Sequence, residues 1–368
     1  LVWLGLVGMA DPIREGVEQL IGRFHRAGIN TIMITGDQIP TAYAIGKQLN
    51  LSQGKELQVL ESRSLHEIEP EALKALATRV HVFARATPAQ KLEIVKALQR
   101  SKQTVAMTGD GVNDGPALRA ADIGVAMGQE GTDVAREVAD VVLEKDDINT
   151  LILAVGQGRT IVCNIRKSIH YLFSTNMSEI IVMLGAVSFG MGQPLTPMQL
   201  LWINLISDIL PGLALSMEEP EPDVLEQPPR RPDQPIISNS DLGRMATEAA
   251  TISAGALGAY SYGLALRAGT MAFTTLSLAQ ILHGVPCRSD NPVFFGRSPL
   301  PANRYLSLAL GGSLLLQLFT LFLPGLRSFL RLAPLSLADG LVIGGGTFLP
   351  LLINETSKRK AKESRHEK

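Results

Sequence analysis

The chain has 368 residues, a formal net charge of -1 and 46% hydrophobic side chains, a length that can hold two or three domains. The neutral charge balance gives no electrostatic reason to expect a nucleic-acid partner, since nucleic-acid binding usually requires a basic face, so we expect none. Its two cysteines, Cys163 and Cys287, are too few for a disulfide framework and show no metal-ligand spacing.

The first 160 or so residues alternate apolar and charged segments, as soluble α/β domains do. Short apolar runs end in polar or turn residues at 31–37, 80–85 and 104–110, and helical patterns occupy 16–28 and 88–100. Strands that alternate with helices favour a parallel sheet built from βαβ units. In such sheets the ligands gather at the carboxyl ends of the strands.

Candidate phosphate- and metal-binding residues follow these predicted strands. Asp110 and Asp114 offer the hard carboxylate oxygens that suit Mg2+. Thr35 and the backbone amide of Gly36 can donate hydrogen bonds to phosphoryl oxygens, and Lys91 offers a positive charge that stabilises a phosphoryl group in transit. A single aspartate beside a glycine is more often a turn former, but the whole set favours a phosphate site with a metal.

Long apolar runs dominate from about residue 167 onward, and most charged residues lie in the connections between these runs. Each run is close to the roughly 20 residues that a helix needs to cross a bilayer. We therefore predict about six membrane spans in an all-α bundle. They lie at about 168–190, 196–217, 243–266, 270–286, 304–325 and 336–354.

Basic residues in the connections predict an orientation, because cytosolic loops carry an excess of Lys and Arg. Most of them fall on one side of the predicted bundle: Arg166, Lys167, Arg230, Arg231, Arg244, Arg288, Arg297, Arg304 and the tail at 357–368. Arg267, Arg327 and Arg331 fall on the other side. We expect a multi-pass protein of a plasma or inner membrane, with the soluble domain and the tail in the cytosol.

Polar side chains inside predicted spans are costly in lipid, so we treat each of them as a candidate functional residue. The polar side chains of the first and second predicted spans recur on one helical face of each span. Pro211 has no backbone N–H to donate to the carbonyl of Ser207, so we expect this carbonyl to be free for a ligand. The set suits Ca2+ or another hard cation, although Ser207 and Gln280 are as well explained by hydrogen bonds between helices. The predicted cation ligands are Asn176, Glu179, Asn204, Ser207, Asp208 and Gln280.

Several motifs resemble those of one enzyme family. T-G-D-G-V-N-D-G-P-A-L at 108–118 closely resembles the hinge motif of the P-type ATPases, and F-A-R-A-T-P-A-Q-K at 83–91 resembles their phosphate-binding lysine segment. G-M-A-D-P-I-R-E-G-V at 8–17 resembles their D-P-P-R segment, with Ile13 in place of a proline. The stretches at 200–215 and 227–238 are similar to signatures of the family's membrane half.

This resemblance implies a pump that uses ATP and Mg2+ and forms an aspartyl phosphate. It implies part of a HAD-like, Rossmann-type phosphorylation domain at 1–160, a transmembrane domain at 161–358 and a basic cytosolic tail at 359–368. Asp110 would then coordinate Mg2+ and Asp114 would support the metal site. The other implied residues are Lys91, Thr35 and Asn113 at the phosphoryl group, and Gly36, Asp37 and Arg85 on the nucleotide side.

The sequence contains no D-K-T-G-T motif, which carries the phosphorylated aspartate of this family. We therefore expect a C-terminal portion that is inactive alone and depends on an N-terminal half in the same or a separate chain. Asn-x-x-Glu at 176–179 and Asn-x-x-Ser-Asp at 204–208 are similar to calcium pumps of the sarcoplasmic-reticulum type, whereas Gln280 departs from a glutamate in their pattern.

Other functions stay open at this point. One is a pump for Na+, K+, H+, Mg2+ or Mn2+. A second is a non-catalytic membrane partner, or regulatory half, of a split pump. A free-standing phosphatase of the same α/β class ranks last, because it would lack its nucleophile and leave the membrane half without a role.

Overall fold

The structure is a computed structural model that describes residues 5, 12–230, 233–263, 266–294 and 300–366. Residues 8–11 of the D-P-P-R-like segment, together with Arg231 and Arg297, lie outside the described residues. The chain divides into two compact units. The first, called here the α/β unit, comprises Leu1–Gln157 and Pro222–Gln234, and the second, the helical unit, comprises Gly158–Glu221 and Pro235–Lys368.

The α/β unit alternates short strands with helices. Its described strands are β1 (Met33–Ile34), β2 (Val59–Glu61), β3 (Val82–Ala84), β4 (Ala106–Gly109), β5 (Ile123–Met127) and β6 (Val141–Leu143). Its helices are α1 (Val17–Arg26), α2 (Ile39–Gln48), α3 (Pro70–Ala77), α4 (Pro88–Arg100), α5 (Gly115–Ala120) and α6 (Asp133–Val138), with 3-10 turns at Ser62–Glu67 and Val112–Asp114.

All described strand pairs are parallel, which confirms the predicted βαβ construction. The strands form two three-stranded sheets, in the orders β1-β3-β2 and β4-β5-β6, rather than one continuous sheet. The central strand β3 is wholly buried, as a parallel strand with covered faces should be. Phe83 of β3 packs with Ile94 and Leu98 of α4 in one core cluster, and Val82 packs with Leu49 and Leu51 in another.

Helix α4 begins where its sequence provides a complete N-terminal signal. Thr87 is the N-cap, Pro88 occupies the first turn, and the side chains of Thr87 and Gln90 form a reciprocal capping box. The amide of Gln90 also donates to the carbonyl of Ser62 at 2.7 Å. These contacts fix the start of the helix that carries Lys91.

The helical unit contains the long apolar segments. Its helices are α7 (Asn149–Ser188), α8 (Pro197–Ile203), α9 (Ile209–Leu215), α10 (Asn239–Tyr262), α11 (Leu266–His283), α12 (Arg304–Phe322), α13 (Pro324–Phe329) and α14 (Leu337–His366). A π-helical turn, Asn204–Asp208, joins α8 to α9, and a 3-10 turn, Pro286–Arg288, follows α11. The division between the two units falls within α7, between residues 157 and 158.

Each predicted span corresponds to a helical segment. Among the described residues, four segments are long and apolar enough to cross a membrane: Asn149–Ser188, Pro197–Leu215, Arg304–Phe322 and Leu337–Thr356. The helices at the other two predicted spans, α10 and α11, do not meet this criterion of length and apolarity. The expectation of about six spans therefore holds only approximately. The reason is burial, since α11 packs inside the unit and places Thr274, Ser277 and Gln280 in contact with protein.

Candidate functional site

The first candidate site lies after strands β1 and β3 of the α/β unit. The Thr35 hydroxyl donates to Asp37 Oδ2 at 2.8 Å, and the Asp37 amide donates to Thr35 Oγ1 at 3.1 Å. The backbone N–H of Arg85, whose φ is 53°, donates to the carbonyl of Asp37 at 2.9 Å. The segment after β3 thus holds the T-G-D turn after β1, and Gly36 and Asp37 are left exposed.

Lys91 and Asp114 form the second element of this site. Lys91 Nζ lies 2.6 Å from Asp114 Oδ1, and the two side chains are 15% and 10% exposed. Asp114 comes this close to β4 because Gly109 has no side chain: a Cβ there would lie 2.5 Å from the Cβ of Asp114. The glycine that ends the strand therefore makes room for the carboxylate that holds the lysine.

Asp110 and Asn113 are both exposed, on the loop that follows β4. Among the described residues, the Asp110 carboxylate has no hydrogen bond or ion pair, while its carbonyl accepts from the N–H of Thr132 at 2.8 Å. The exposed Asn113 side chain likewise makes no hydrogen bond with another described residue. Two carboxylates of one strand-end loop, one free and one beside a lysine, fit the hard-oxygen preference of Mg2+.

Asp146 supports this loop, and sequence reasoning did not single it out. Its carboxylate accepts hydrogen bonds from the backbone N–H groups of Gly128, Gln129 and Glu130 at 2.6, 3.0 and 2.8 Å. Partial desolvation opposes ionisation, but these three bonds hold the pKa of Asp146 below its ordinary value. The segment anchored in this way leads into Thr132, whose N–H fixes the backbone of Asp110.

The structure thus pairs Thr35 with Asp37 and Lys91 with Asp114, as two local groups. Among the residues it describes, no hydrogen bond or ion pair joins these groups to each other. The Arg85 guanidinium faces Glu61 at 3.7 Å instead. The roles of the individual residues toward phosphate and nucleotide stay predictions.

The second candidate site lies in the helical unit, around two buried carboxylates. Glu179 of α7 accepts from the amides of Asn204 and Gln280, at 3.5 Å to Oε2 and 3.3 Å to Oε1. Asp208 accepts from the Asn176 amide at 2.9 Å to Oδ2. All five side chains were predicted from the sequence, and the structure brings them together from α7, the π-helical turn and α11.

Ser207 departs from the prediction. Its carbonyl, expected to be free because Pro211 cannot donate to it, accepts a hydrogen bond from the buried Tyr171 hydroxyl. Its own hydroxyl lies 3.3 Å from the hydroxyl of Ser277 on α11. Tyr171 and Ser277 were not identified from the sequence, because each meets Ser207 only through folding of a distant helix.

Two oxygens of this second site are buried without a donor. Among the described side chains, Asp208 Oδ1 and Gln280 Oε1 have no hydrogen-bond partner. Buried oxygens without donors are costly, and a bound cation is one kind of partner that satisfies such oxygens. The π-helical turn places Asn204, Ser207 and Asp208 in one segment, and such turns often occur at functional sites. The arrangement is an oxygen-rich cage suited to a hard metal ion.

Two family models match this sequence. Residues 3–122 match the haloacid dehalogenase-like hydrolases, which is the region of the first site. Residues 192–359 match the C-terminus of cation transporting ATPases, which includes most of the helical unit.

Curated relatives match nearly the whole chain. A "Calcium-transporting ATPase" of Bacillus subtilis is 41% identical over 360 residues, which are 96% of this chain and 40% of that protein. A "Calcium-transporting ATPase 1" of Bacillus cereus is 38% identical over 97% of this chain and 42% of its own length. The human "Calcium-transporting ATPase type 2C member 2" is 36% identical over 97% of this chain and 38% of its length. The chain thus spans about two fifths of these relatives.

Proposed function

Because this chain belongs to the cation-transporting P-type ATPases, we propose that it is the C-terminal portion of an ATP-driven Ca2+ pump. The observation that carries the proposal is the buried group of carboxylates and amides in the helical unit, where Asp208 Oδ1 and Gln280 Oε1 have no donor among the described residues. The names of the relatives support Ca2+ as the transported ion.

The cage residues would bind the ion directly. Glu179 and Asp208 supply the negative charge that a desolvated divalent cation requires. The amides of Asn176, Asn204 and Gln280 donate to these carboxylates. The Asn176 and Asn204 amides would turn their oxygens toward an entering ion, whereas Gln280 Oε1 lacks a hydrogen-bond donor among the described residues already. Tyr171 would hold the backbone of Ser207 and thereby the position of Asp208.

The α/β unit would serve the phosphoryl group, with Mg2+ and ATP as cofactors. Asp110 and Asp114 fit as the residues that hold Mg2+, which when bound neutralises charge on phosphoryl oxygens. Lys91 brings its positive charge to the same loop through its pair with Asp114. Thr35, Gly36 and Asn113 would donate hydrogen bonds to the phosphoryl group, and Asp37 and Arg85 would face the nucleotide. The phosphorylated aspartate would belong to the part of the pump that this chain does not span.

We place the helical unit in a lipid bilayer as a multi-pass domain, with the α/β unit in the cytosol. The four long apolar helices support the membrane placement, and the basic residues at one set of connections support the orientation. The remaining N-terminal part of the pump would be its partner, in the same or another chain.

Ca2+ dependence of ATP hydrolysis tests this function in the pump completed by its N-terminal part and reconstituted in vesicles. We expect hydrolysis to depend on Ca2+ and not on Na+, K+ or Mn2+ at a fixed Mg2+ concentration. Glu179→Gln and Asp208→Asn should each raise the half-activating Ca2+ concentration at least about tenfold, because each removes a buried charge from the cage. Glu219→Gln, at an exposed carboxylate of the same unit, is the matched control and should leave it unchanged.

Unchanged Ca2+ affinity in both cage variants would place the ion elsewhere. If another cation activated ATP hydrolysis and Ca2+ did not, the proposal of a cation pump would stand, but the assignment of Ca2+ as its ion would be wrong.

A further inference from the structure

A second cluster of ligand-type side chains lies in the helical unit, apart from the cation cage. His170 of α7, His283 at the end of α11 and Cys287 in the following 3-10 turn place one ligand atom each within 4.8 Å of one another. The three residues are 6%, 2% and 7% exposed. None of them belongs to the cage or to the phosphate site.

Glu248 of α10 completes the cluster. His170 Nε2 is hydrogen-bonded to Glu248 Oε2, and His283 Nε2 lies 3.4 Å from the same oxygen. Among the described side chains, His283 Nε2 and Glu248 Oε1 are buried and make only long contacts, at 3.4 Å to Glu248 Oε2 and at 3.8 Å to Arg244 Nε, rather than well-formed hydrogen bonds. Weakly satisfied polar atoms in a buried network are costly. A metal ion bound by the clustered side chains would satisfy them better.

The chemistry of the cluster selects the kind of ion. Two imidazoles and a thiol suit Zn2+ and other transition metals, whereas Ca2+ and Mg2+ prefer oxygen alone. Zn2+ binds nitrogen at about 2.0 Å and sulfur at about 2.3 Å, so the ligand atoms need to draw together by roughly an ångström. We propose that His170, His283, Cys287 and Glu248 bind a Zn2+-type transition-metal ion in tetrahedral geometry.

Charges and protons balance in this site. The Cys287 thiolate and the Glu248 carboxylate neutralise the two charges of the ion, so no net charge is buried. Arg244 Nη2 lies 3.0 Å from His170 Nδ1, which makes Nδ1 the acceptor and leaves the imidazole proton on Nε2. When Nε2 binds the metal, its proton passes to Nδ1; the Arg244 guanidinium then gives up its contact with Nδ1 and keeps its bond to Asp290 Oδ1 at 2.7 Å. The Cys287 thiol and the His283 imidazole give up the protons that occupy their ligand atoms, and these protons are released to solvent.

The bound ion would tie α7, α10 and α11 together next to the cation cage. Tyr171, the neighbour of His170, stacks on His283 with ring centroids 6.2 Å apart. Its hydroxyl bonds the carbonyl of Ser207, which precedes Asp208. A metal ion at this site would therefore restrain the segment with Ser207 and Asp208 through the Tyr171 side chain, which contacts both His283 and Ser207.

Co2+ binding to the whole chain in detergent tests the proposal, because Co2+ replaces Zn2+ and reports its ligands by absorption. We expect tetrahedral Co2+ bands together with a thiolate-to-cobalt band in the near ultraviolet, and Zn2+ should displace both. Cys287→Ser should remove the thiolate band, and His283→Gln should weaken Co2+ binding at least about tenfold. Cys163→Ser, at the other cysteine of the chain, is the matched control and should change neither.

Proton release provides a readout that needs no variant. Zn2+ added to the wild-type chain in weak buffer should release at least about one proton per bound ion, from Cys287, with a further proton from the His283 imidazole. A wild-type chain without a thiolate band, or one that loses the band in Cys163→Ser, would overturn the proposal. So would Zn2+ binding without proton release, which would indicate carboxylates alone.

Discussion

At the scale of single residues, Gly109 decides how closely Asp114 can approach β4. A Cβ at position 109 would lie 2.5 Å from the Cβ and 2.9 Å from the Cγ of Asp114. Gly109→Ala should therefore push Asp114 aside and break its 2.6 Å pair with Lys91. We expect a loss of about 1–3 kcal/mol in local stability, as in other overpacked sites. Faster hydrogen exchange of peptides that cover 104–120 measures this loss.

Gly111→Ala is the matched control for that prediction. A Cβ at position 111 would meet no heavy atom nearer than 3.8 Å, and the backbone φ of -106° suits any residue. Its exchange should match that of the wild type. Equal exchange in both variants would show that the loop yields to the extra methyl group and that Gly109 does not fix Asp114.

The contacts that sequence could predict at this scale are those carried by residue type and local spacing. Glu179 and Asp208 were identifiable because carboxylates within apolar runs are costly unless they bind something. Tyr171 and Glu248 were not identified, although both lie inside helices, because their partners are remote in sequence. Their partners lie 36 and 78 residues away in sequence, so only the folded chain brings them together.

At the scale of secondary-structure elements, the crossing of α10 and α14 depends on two glycines. A Cβ at Gly255 would lie 2.2 Å from the carbonyl oxygen of Gly346, and one at Gly346 would lie 2.9 Å from the carbonyl oxygen of Gly255. Such close approach of helix backbones is typical of membrane packing through small residues. Gly255→Ala should separate the helices and lower the thermal unfolding temperature of the chain in detergent.

Gly258→Ala, three residues further along α10, is the control, because a Cβ there meets nothing within 4 Å. It should leave the unfolding temperature unchanged or raise it, since alanine favours helix by about 1 kcal/mol over glycine. If Gly255→Ala had the same unfolding temperature as Gly258→Ala, α10 and α14 would not depend on a close approach at Gly255.

Element boundaries followed from sequence where the local signals were complete. The predicted helix at 88–100 coincides with α4, whose cap, proline and capping box are all adjacent in sequence. α7 begins at Asn149, well before the predicted span at 168, because the criterion was apolarity and Arg159, Arg166 and Lys167 interrupt it. β2, β5 and β6 went unpredicted, since runs of three to five residues carry little periodicity.

At the scale of the whole molecule, the sequence separates two chemistries into two units. Residues that suit phosphate and Mg2+ lie in the α/β unit, and residues that suit a transported cation lie in the helical unit. The motifs that define the first are contiguous and so were readable from the sequence. The residues proposed for the ion cage come from three helical segments that are separated in sequence, so their meeting could not be read from any one motif.

This separation predicts that, in the completed pump, a substitution in one unit can abolish phosphorylation by ATP without changing Ca2+ binding by the other unit. Asp110→Asn should abolish Mg2+-dependent phosphorylation by ATP, because the loop loses the carboxylate that we assign to the metal. The same variant should bind Ca2+ with wild-type affinity, since Asp110 belongs to the α/β unit and the cage to the helical unit. Asp133→Asn, at a carboxylate that is 94% exposed on α6, is the matched control and should phosphorylate normally. Normal phosphoenzyme in Asp110→Asn would remove Asp110 from the metal site, and a loss of Ca2+ binding in that variant would mean that the two sites are coupled already without nucleotide.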